Sequence, residues 1–163
     1  MAKEFTFDVV SDYDRQEVVN AVDQAQKEVV NRYDFKGTDT EIKLDKESIS
    51  VKTASELHLK SVRDILESKF FRRGLDLRVL DWDEVESASK GAVKQTAKLK
   101  KGISEDIGRE LSKHIRAVHP KVHVQIQGDQ LRVAAKDKDS LQAVIQDLKD
   151  GDYGVPLQFT NYR

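Results

Sequence analysis

The sequence predicts an α+β chain made from one unit used twice: two tandem antiparallel sheets of four strands, each covered on one face by two helices. A pattern that recurs with a shift of 82 positions carries this reading. Ile42 falls on Val124, Leu44 on Ile126, Ile49 on Leu131, Val51 on Val133, Leu59 on Leu141, Val62 on Val144 and Leu66 on Leu148. The first four alternate on either side of residues 45–48 and 127–130, which is the period of two strands joined by a tight turn. The last three follow at i, i+3 and i+7, one stripe of a helix. Length agrees: at 163 residues, a repeat of about half the chain favours two small domains, at 1–87 and 88–163. Each is near the size where a core is barely sufficient, so the halves are expected to pack together.

The elements follow in order. Phe5, Phe7 and Val9 alternate with polar residues, giving a first strand with one apolar face. Asp14 and Glu17 have capping-box spacing, and Val18, Val22, Ala25 and Val29 line one face of a helix ending near Arg32. The hairpin comes next. Ser55 lies in a second capping segment, and Leu59, Val62, Leu66 and Phe70 form the next stripe, with Gly74 as its C-cap. Leu75, Leu77 and Val79 predict a strand, which the 82-position shift maps toward Leu157 and Phe159. Residues 82–91 read as the connection between halves. In the second half, residues 93–99 predict a lysine-rich strand. Ile103, Ile107, Leu111, Ile115 and Val118 mark a helix that Pro120 cannot continue. Val122 opens the second hairpin, which turns at Gly128 and Asp129. Leu141, Val144, Ile145 and Leu148 form the last stripe, stopped at Gly151. The proline at position 156 places the final strand at a sheet edge. Strand, helix, hairpin, helix, strand is the ferredoxin-like order also used by RNP domains.

Composition narrows function. The 28 basic and 29 acidic side chains nearly cancel, which argues against a protein that binds any polyanion. No run approaches the roughly 18 apolar residues of a membrane span, and the start has no signal-peptide hydrophobic region. The absence of cysteine excludes disulfides, thiol catalysis and thiolate metal sites. These points predict a soluble cytoplasmic protein.

Charge is nonetheless segregated. Residues 90–104 hold five lysines, Lys90, Lys94, Lys98, Lys100 and Lys101, and no acid, whereas Asp81, Asp83, Glu84 and Glu86 precede them. On a strand, Lys94, Lys98 and Lys100 share a face and make a ridge that could neutralise phosphates, with Gln95 and Thr96 adding neutral hydrogen bonds. The same run also reads as a solvated edge strand guarded against aggregation. Residues 32–36 set Tyr33 and Phe35 among Arg32, Asp34 and Lys36. A ring for stacking beside cations for phosphate is a single-strand binder's combination, while plugging a helix end is the alternative favoured for Phe35.

Other chemistries lack support. His114, His119 and His123 belong to helix end, turn and strand, and need not converge on a metal. Gly91 and Gly102 do not form a phosphate loop, and no serine, histidine and acid grouping has a nucleophile's context. No cofactor and no enzymatic activity are predicted.

At residues 32–37, 87–103, 125–129 and 158–163, and in the opening Phe7-Asp8-Val9-Val10-Ser11, the chain resembles the bacterial YajQ family from end to end. The resemblance implies two tandem RNP-like domains that exchange their first strands, 5–10 joining the second sheet and 93–99 the first. It also implies nucleotide binding, with cyclic di-GMP, a mononucleotide such as GTP or ATP, or RNA as the ligand. Arg32, Lys36, Lys90, Lys94 and Lys98 would contact phosphate, Gln95 and Gln127 would add polar contacts, and Tyr33 would stack. A regulatory role through a protein partner, or a protein-interaction adaptor without nucleotide, are the further readings. One departure bears on RNA. RNA-recognition motifs stack bases on aromatics of a central strand, and residues 48–53 and 130–135 contain none.

Overall fold

A computed structural model describes residues 4–163. Its elements are Phe5–Val10 (β1), Arg15–Asn31 (α1), Glu41–Leu44 (β2), Ser48–Thr53 (β3), Glu56–Arg72 (α2), Leu80–Trp82 (β4), Glu86–Ser87 (β5), Val93–Leu99 (β6), Glu105–Val118 (α3), His123–Gln127 (β7), Gln130–Ala135 (β8), Lys138–Asp150 (α4) and Gln158–Thr160 (β9). The helices start where side chains can accept the free N–H groups of a first turn. Asp14 caps α1, Ser55 caps α2, Ser104 caps α3 and Asp137 caps α4.

The strands form two antiparallel sheets, in the orders β7-β8-β1-β9 and β2-β3-β6-β4, with β5 alongside β6. β1, first in the chain, thus pairs with β8 and β9, and β6 pairs with β3 and β4. The described residues fall into two compact units, Tyr13–Lys100 and the remainder, up to Asp12 and from Lys101 on. These units divide the chain at residues 12/13 and 100/101, with β6 in the sheet of the first. A mixed α/β chain with four helices and two antiparallel sheets is compatible with two ferredoxin-like domains.

Each unit has its own core. In Tyr13–Lys100, the α1 stripe Val18, Ala21, Val22, Ala25 and Val29 and the α2 stripe Leu59, Val62, Leu66 and Phe70 close over Ile49, Val51 and Ala97. In the other unit, Leu111 and Ile115 of α3 and the α4 stripe close over Phe7, Val9, Leu131 and Val133. Side chains such as Phe7, Phe70 and Leu131, at most 1% exposed, are each worth about 1.5–3 kcal/mol of apolar transfer. Strand alternation leaves the opposite sheet faces to polar residues.

Two expectations are corrected. Leu77–Val79 is a 3-10 turn, and the strand begins only at Leu80. Asp76 accepts from the Arg78 amide at 2.9 Å, and the Arg78 guanidinium chelates the same carboxylate. That local bonding turns the chain in competition with strand pairing. Val118, expected in the α3 stripe, is 52% exposed at the helix end. β9 lies at the edge of its sheet, as Pro156 predicts.

Candidate nucleotide-binding site

The site is built on the Tyr13–Lys100 unit, from two turns and the polar face of β3 and β6. The first turn follows α1. Phe35 is buried against the His58 ring at 5.8 Å, and His58 Nε2 lies 3.1 Å from the Asp34 carbonyl oxygen. Phe35 is therefore the plug of the helix end. Gly37 (φ 74°) and Asp39 (φ 49°) then take left-handed conformations, which glycine adopts freely and aspartate tolerates. Thr38 donates to the Phe35 carbonyl at 2.6 Å, and hydroxyls continue from Thr38 to Thr40 (2.6 Å) and from Thr40 to Thr53 on β3 (2.8 Å). This hydroxyl ladder fastens the turn to the sheet.

The second turn precedes β6. Lys90 (φ 58°) and Gly91 (φ 77°) are both left-handed, closed by the Ala88 N–H donating to the Ala92 carbonyl at 2.8 Å. Between the two turns lies a pocket of about 580 Å³, whose lining includes Thr38, Asp39, Thr40, Lys52, Ser89 and Lys90. Cations and hydroxyls here face two carboxylates, Asp39 and Glu41.

From the pocket edge, one row of side chains crosses the sheet. Glu41, Lys52, Lys94 and Glu86 are successive partners on β2, β3, β6 and β5. Lys52 and Lys94 stand directly opposite each other, an arrangement that costs free energy unless an anion lies near. Among the described residues, neither has a carboxylate oxygen within ion-pair distance. The two acids stand at the ends of the row instead.

The residues expected from the sequence separate into groups. Lys90 lines the pocket, and Lys94 adjoins it through Lys52. Lys98 shares the Lys94 face, but its partner on β4 is Asp81 and its Nζ lies 3.9 Å from Asp83 Oδ1. Gln95 points the other way: it is buried among the helices' packing and donates to the Asp83 carbonyl at 2.6 Å, which takes it off the lysine face. Arg32 chelates Asp34 through Nε (3.0 Å) and Nη2 (2.8 Å) and lies 3.5 Å from Glu28. That bond from Arg32, with its charge, holds the Asp34 carboxyl below the usual carboxylate range. Arg32 is committed to its neighbours. Tyr33 is 81% exposed, with Lys36 Nζ 5.2 Å from the ring centroid, so one ring face meets a cation. Gln127 belongs to the other unit, where it donates to Gln125 at 3.3 Å.

Lys52, Thr38, Thr40 and Ser89 were not singled out in the sequence. Lys52 was hidden because its significance lies in its cross-strand partner, and the pairing of β3 with β6 spans a helix and two further strands. Of the three histidines, His114 and His119 share one carboxylate, each with Nε2 2.9 Å from Asp147 Oδ2. His123 lies on β7, and among the described residues no group of three or more His, Cys, Asp or Glu side chains is arranged so that it could hold a metal ion.

Comparison with known proteins adds the family. The model described as "Nucleotide-binding protein YajQ-like" matches residues 5–163. A nucleotide-binding protein of Nostoc punctiforme is 54% identical over the full length of both chains. One of Synechococcus sp. (strain JA-3-3Ab) is 53% identical over the same span, and one of Roseiflexus sp. (strain RS-1) is 48% identical over all of both. No helix of the described residues is long and apolar enough to cross a membrane. With end-to-end matches of this kind, the chain belongs to the family of YajQ-like nucleotide-binding proteins.

Proposed function

We propose that the protein is a non-enzymatic, regulatory nucleotide-binding protein that holds the phosphate of a mononucleotide or a cyclic dinucleotide, such as cyclic di-GMP, at the Lys52–Lys94 row and the adjoining pocket. The observation that carries this is the pair of lysines at directly opposed strand positions, neither of which has a carboxylate oxygen within ion-pair distance among the described residues. A phosphate set between them relieves their repulsion and gains two charge-assisted hydrogen bonds. Lys90 closes on it from the second turn, and Thr38, Thr40 and Ser89 supply hydroxyls for the sugar. Tyr33 is the ring available for the base. The family assignment supports the ligand class, and the relatives' names supply the word nucleotide.

RNA is the weaker reading. The polar face of β3 and β6 carries serine, threonine and lysine and no aromatic ring on which successive bases could stack. The same reading takes the two compact units as ferredoxin-like domains with exchanged first strands, supported by the pairing of β1 with β8 and β9 and of β6 with β3 and β4.

Calorimetry against mononucleotides and cyclic dinucleotides tests the site. Neutralising both lysines, Lys52→Gln with Lys94→Gln, is expected to weaken the bound nucleotide at least about tenfold, the loss of one charge-assisted bond or more. The fold should persist, since both side chains face away from the core. Unchanged affinity removes the row from the site.

A further inference from the structure

Away from the lysine pocket, the sheet β7-β8-β1-β9 carries an arginine held in a way the other arginines are not. Asp8, Arg132, Gln125 and Thr160 form one row across its four strands. They lie on the face opposite the core, because Phe7, Val9, Leu131 and Val133 point into it. Asp8 is 2% exposed, and both of its oxygens are engaged: Oδ1 accepts from Arg132 Nε at 3.0 Å and Oδ2 from Asn161 Nδ2 at 2.8 Å.

Three other arginines in the chain chelate a carboxylate with Nε and Nη2 together: Arg32 on Asp34, Arg73 on Glu17 and Arg78 on Asp76. Two parallel bonds are the stronger geometry for a pair that serves only stability. Arg132 uses Nε alone. Asn161 occupies the second oxygen, from a left-handed backbone (φ 56°) that asparagine tolerates better than most residues. The result is a guanidinium fixed at one edge, with Nη1 and Nη2 without partner among the described residues and not buried. Flanking positions carry amides: Gln125 opposite Arg132, and Gln127 and Gln130 in the next row. Asp8 is the one carboxylate in these rows, and it is covered.

We propose that Arg132 is an oxyanion-binding residue, presenting its Nη1/Nη2 edge to two oxygens of one phosphoryl group, with Asp8 and Asn161 as the residues that position it. A fixed fork matches paired oxygens and loses little entropy on binding. The amides of Gln125 and Gln127 donate to the remaining oxygens. This site lies on the second sheet and does not depend on the lysine row.

The test follows the Arg132 Nε–Hε resonance of the full-length protein by ¹⁵N NMR. Inorganic phosphate is added at constant ionic strength, and a nucleoside 5′-monophosphate in a parallel titration. The expected result is a saturating shift at Arg132, with phosphate bound about tenfold more weakly by Arg132→Lys, which keeps the charge and loses the fork. Lys52→Glu should leave that response intact. Response to both titrants identifies the phosphoryl group as the element recognised; response to the nucleotide alone overturns a phosphoryl site. A non-saturating drift in wild type, or equal affinity in Arg132→Lys, also overturns the proposal. Loss of nucleotide binding in Lys52→Glu with no Arg132 response overturns it while leaving the lysine pocket standing.

Discussion

Among the lysines of one strand face, neighbours decide which are free to bind. Lys94 and Lys98 look equivalent in sequence, four residues apart on β6, yet their surroundings differ. Lys98 stands beside Asp81 with its Nζ 3.9 Å from Asp83 Oδ1, so a ligand must compete with a carboxylate already at ion-pair distance, whereas Lys94 stands between Lys52 and Glu86 and among the described residues has no carboxylate oxygen that close. Lys94→Glu is therefore expected to weaken nucleotide binding several-fold more than Lys98→Glu, measured by calorimetry on the two single variants; equal effects would make the face a diffuse cationic surface. Asp8 gives a second residue-scale outcome. Burial works to raise its carboxyl, but the bonds from Arg132 and Asn161 and nearby guanidinium charge outweigh burial and hold it below the ordinary value. A depressed folded-state value means stabilisation that is present above the unfolded carboxylate value, about 3.9, and lost as pH falls through the folded one. In thermal melts, Asp8→Asn should lie well below wild type at pH 7 and converge on it below about pH 4. Parallel curves across that range would show that Asp8 contributes no linked proton. Sequence reading found the lysines because charge is visible residue by residue. Gln95 was grouped with the lysines by closeness in sequence, although strand alternation sets it on the face opposite Lys94 and Lys98, where it is buried.

Elements were legible wherever apolar period and cap agreed. The stripes of α1, α2 and α4 were all read from spacing, and Asp14 marks the start of α1, accepting from the Gln16 and Glu17 amides at 2.9 and 3.4 Å. Asp14→Ala should cost about 1 kcal/mol by chemical denaturation. The region after α2 was misread because Leu75, Leu77 and Val79 alternate like a strand, while the Asp76–Arg78 bonding acts over two residues and leaves no periodic trace. A turn with a tertiary constraint is harder still. Gly102 reads as a loop residue, but at φ 84° a Cβ there would stand 2.8 Å from Asp129 Oδ2 and 2.9 Å from its Cβ. Its N–H also donates to the Ser11 carbonyl at 2.6 Å, and Ile103 donates to the Asp129 carbonyl at 2.8 Å. Gly102→Ala must therefore both strain the backbone and displace the β7–β8 turn. It is expected to cost about 2 kcal/mol, against about 1 kcal/mol for Gly128→Ala, whose Cβ meets nothing within 4 Å. Equal costs in denaturant melts would mean that the contact at Asp129 relaxes freely.

At the scale of the whole chain, order in sequence and order in the sheet diverge, and a fragment experiment separates them. The 82-position pattern suggests a cut between 87 and 88, which keeps each repeat intact. That cut removes β6, the strand that lies between β3 and β4 and also carries β5. β3 and β4 would be left unpaired along that side, and Ala97 and Leu99 would leave the core. A fragment of residues 13–100 keeps β2, β3, β6, β4 and β5 with both of their helices and the complete buried cluster. It is expected to melt cooperatively and give dispersed amide resonances, while residues 1–87 give neither. Conversely, a chain beginning at residue 13 loses β1 from between β8 and β9, and with it Phe7, Val9 and the Asp8 bond to Arg132. In that chain, hydrogen exchange should become fast across β7 to β9 and stay slow across β2, β3 and β6. Slow exchange persisting in β8 would mean that the second sheet closes without the first strand, and the order β7-β8-β1-β9 would have to be abandoned.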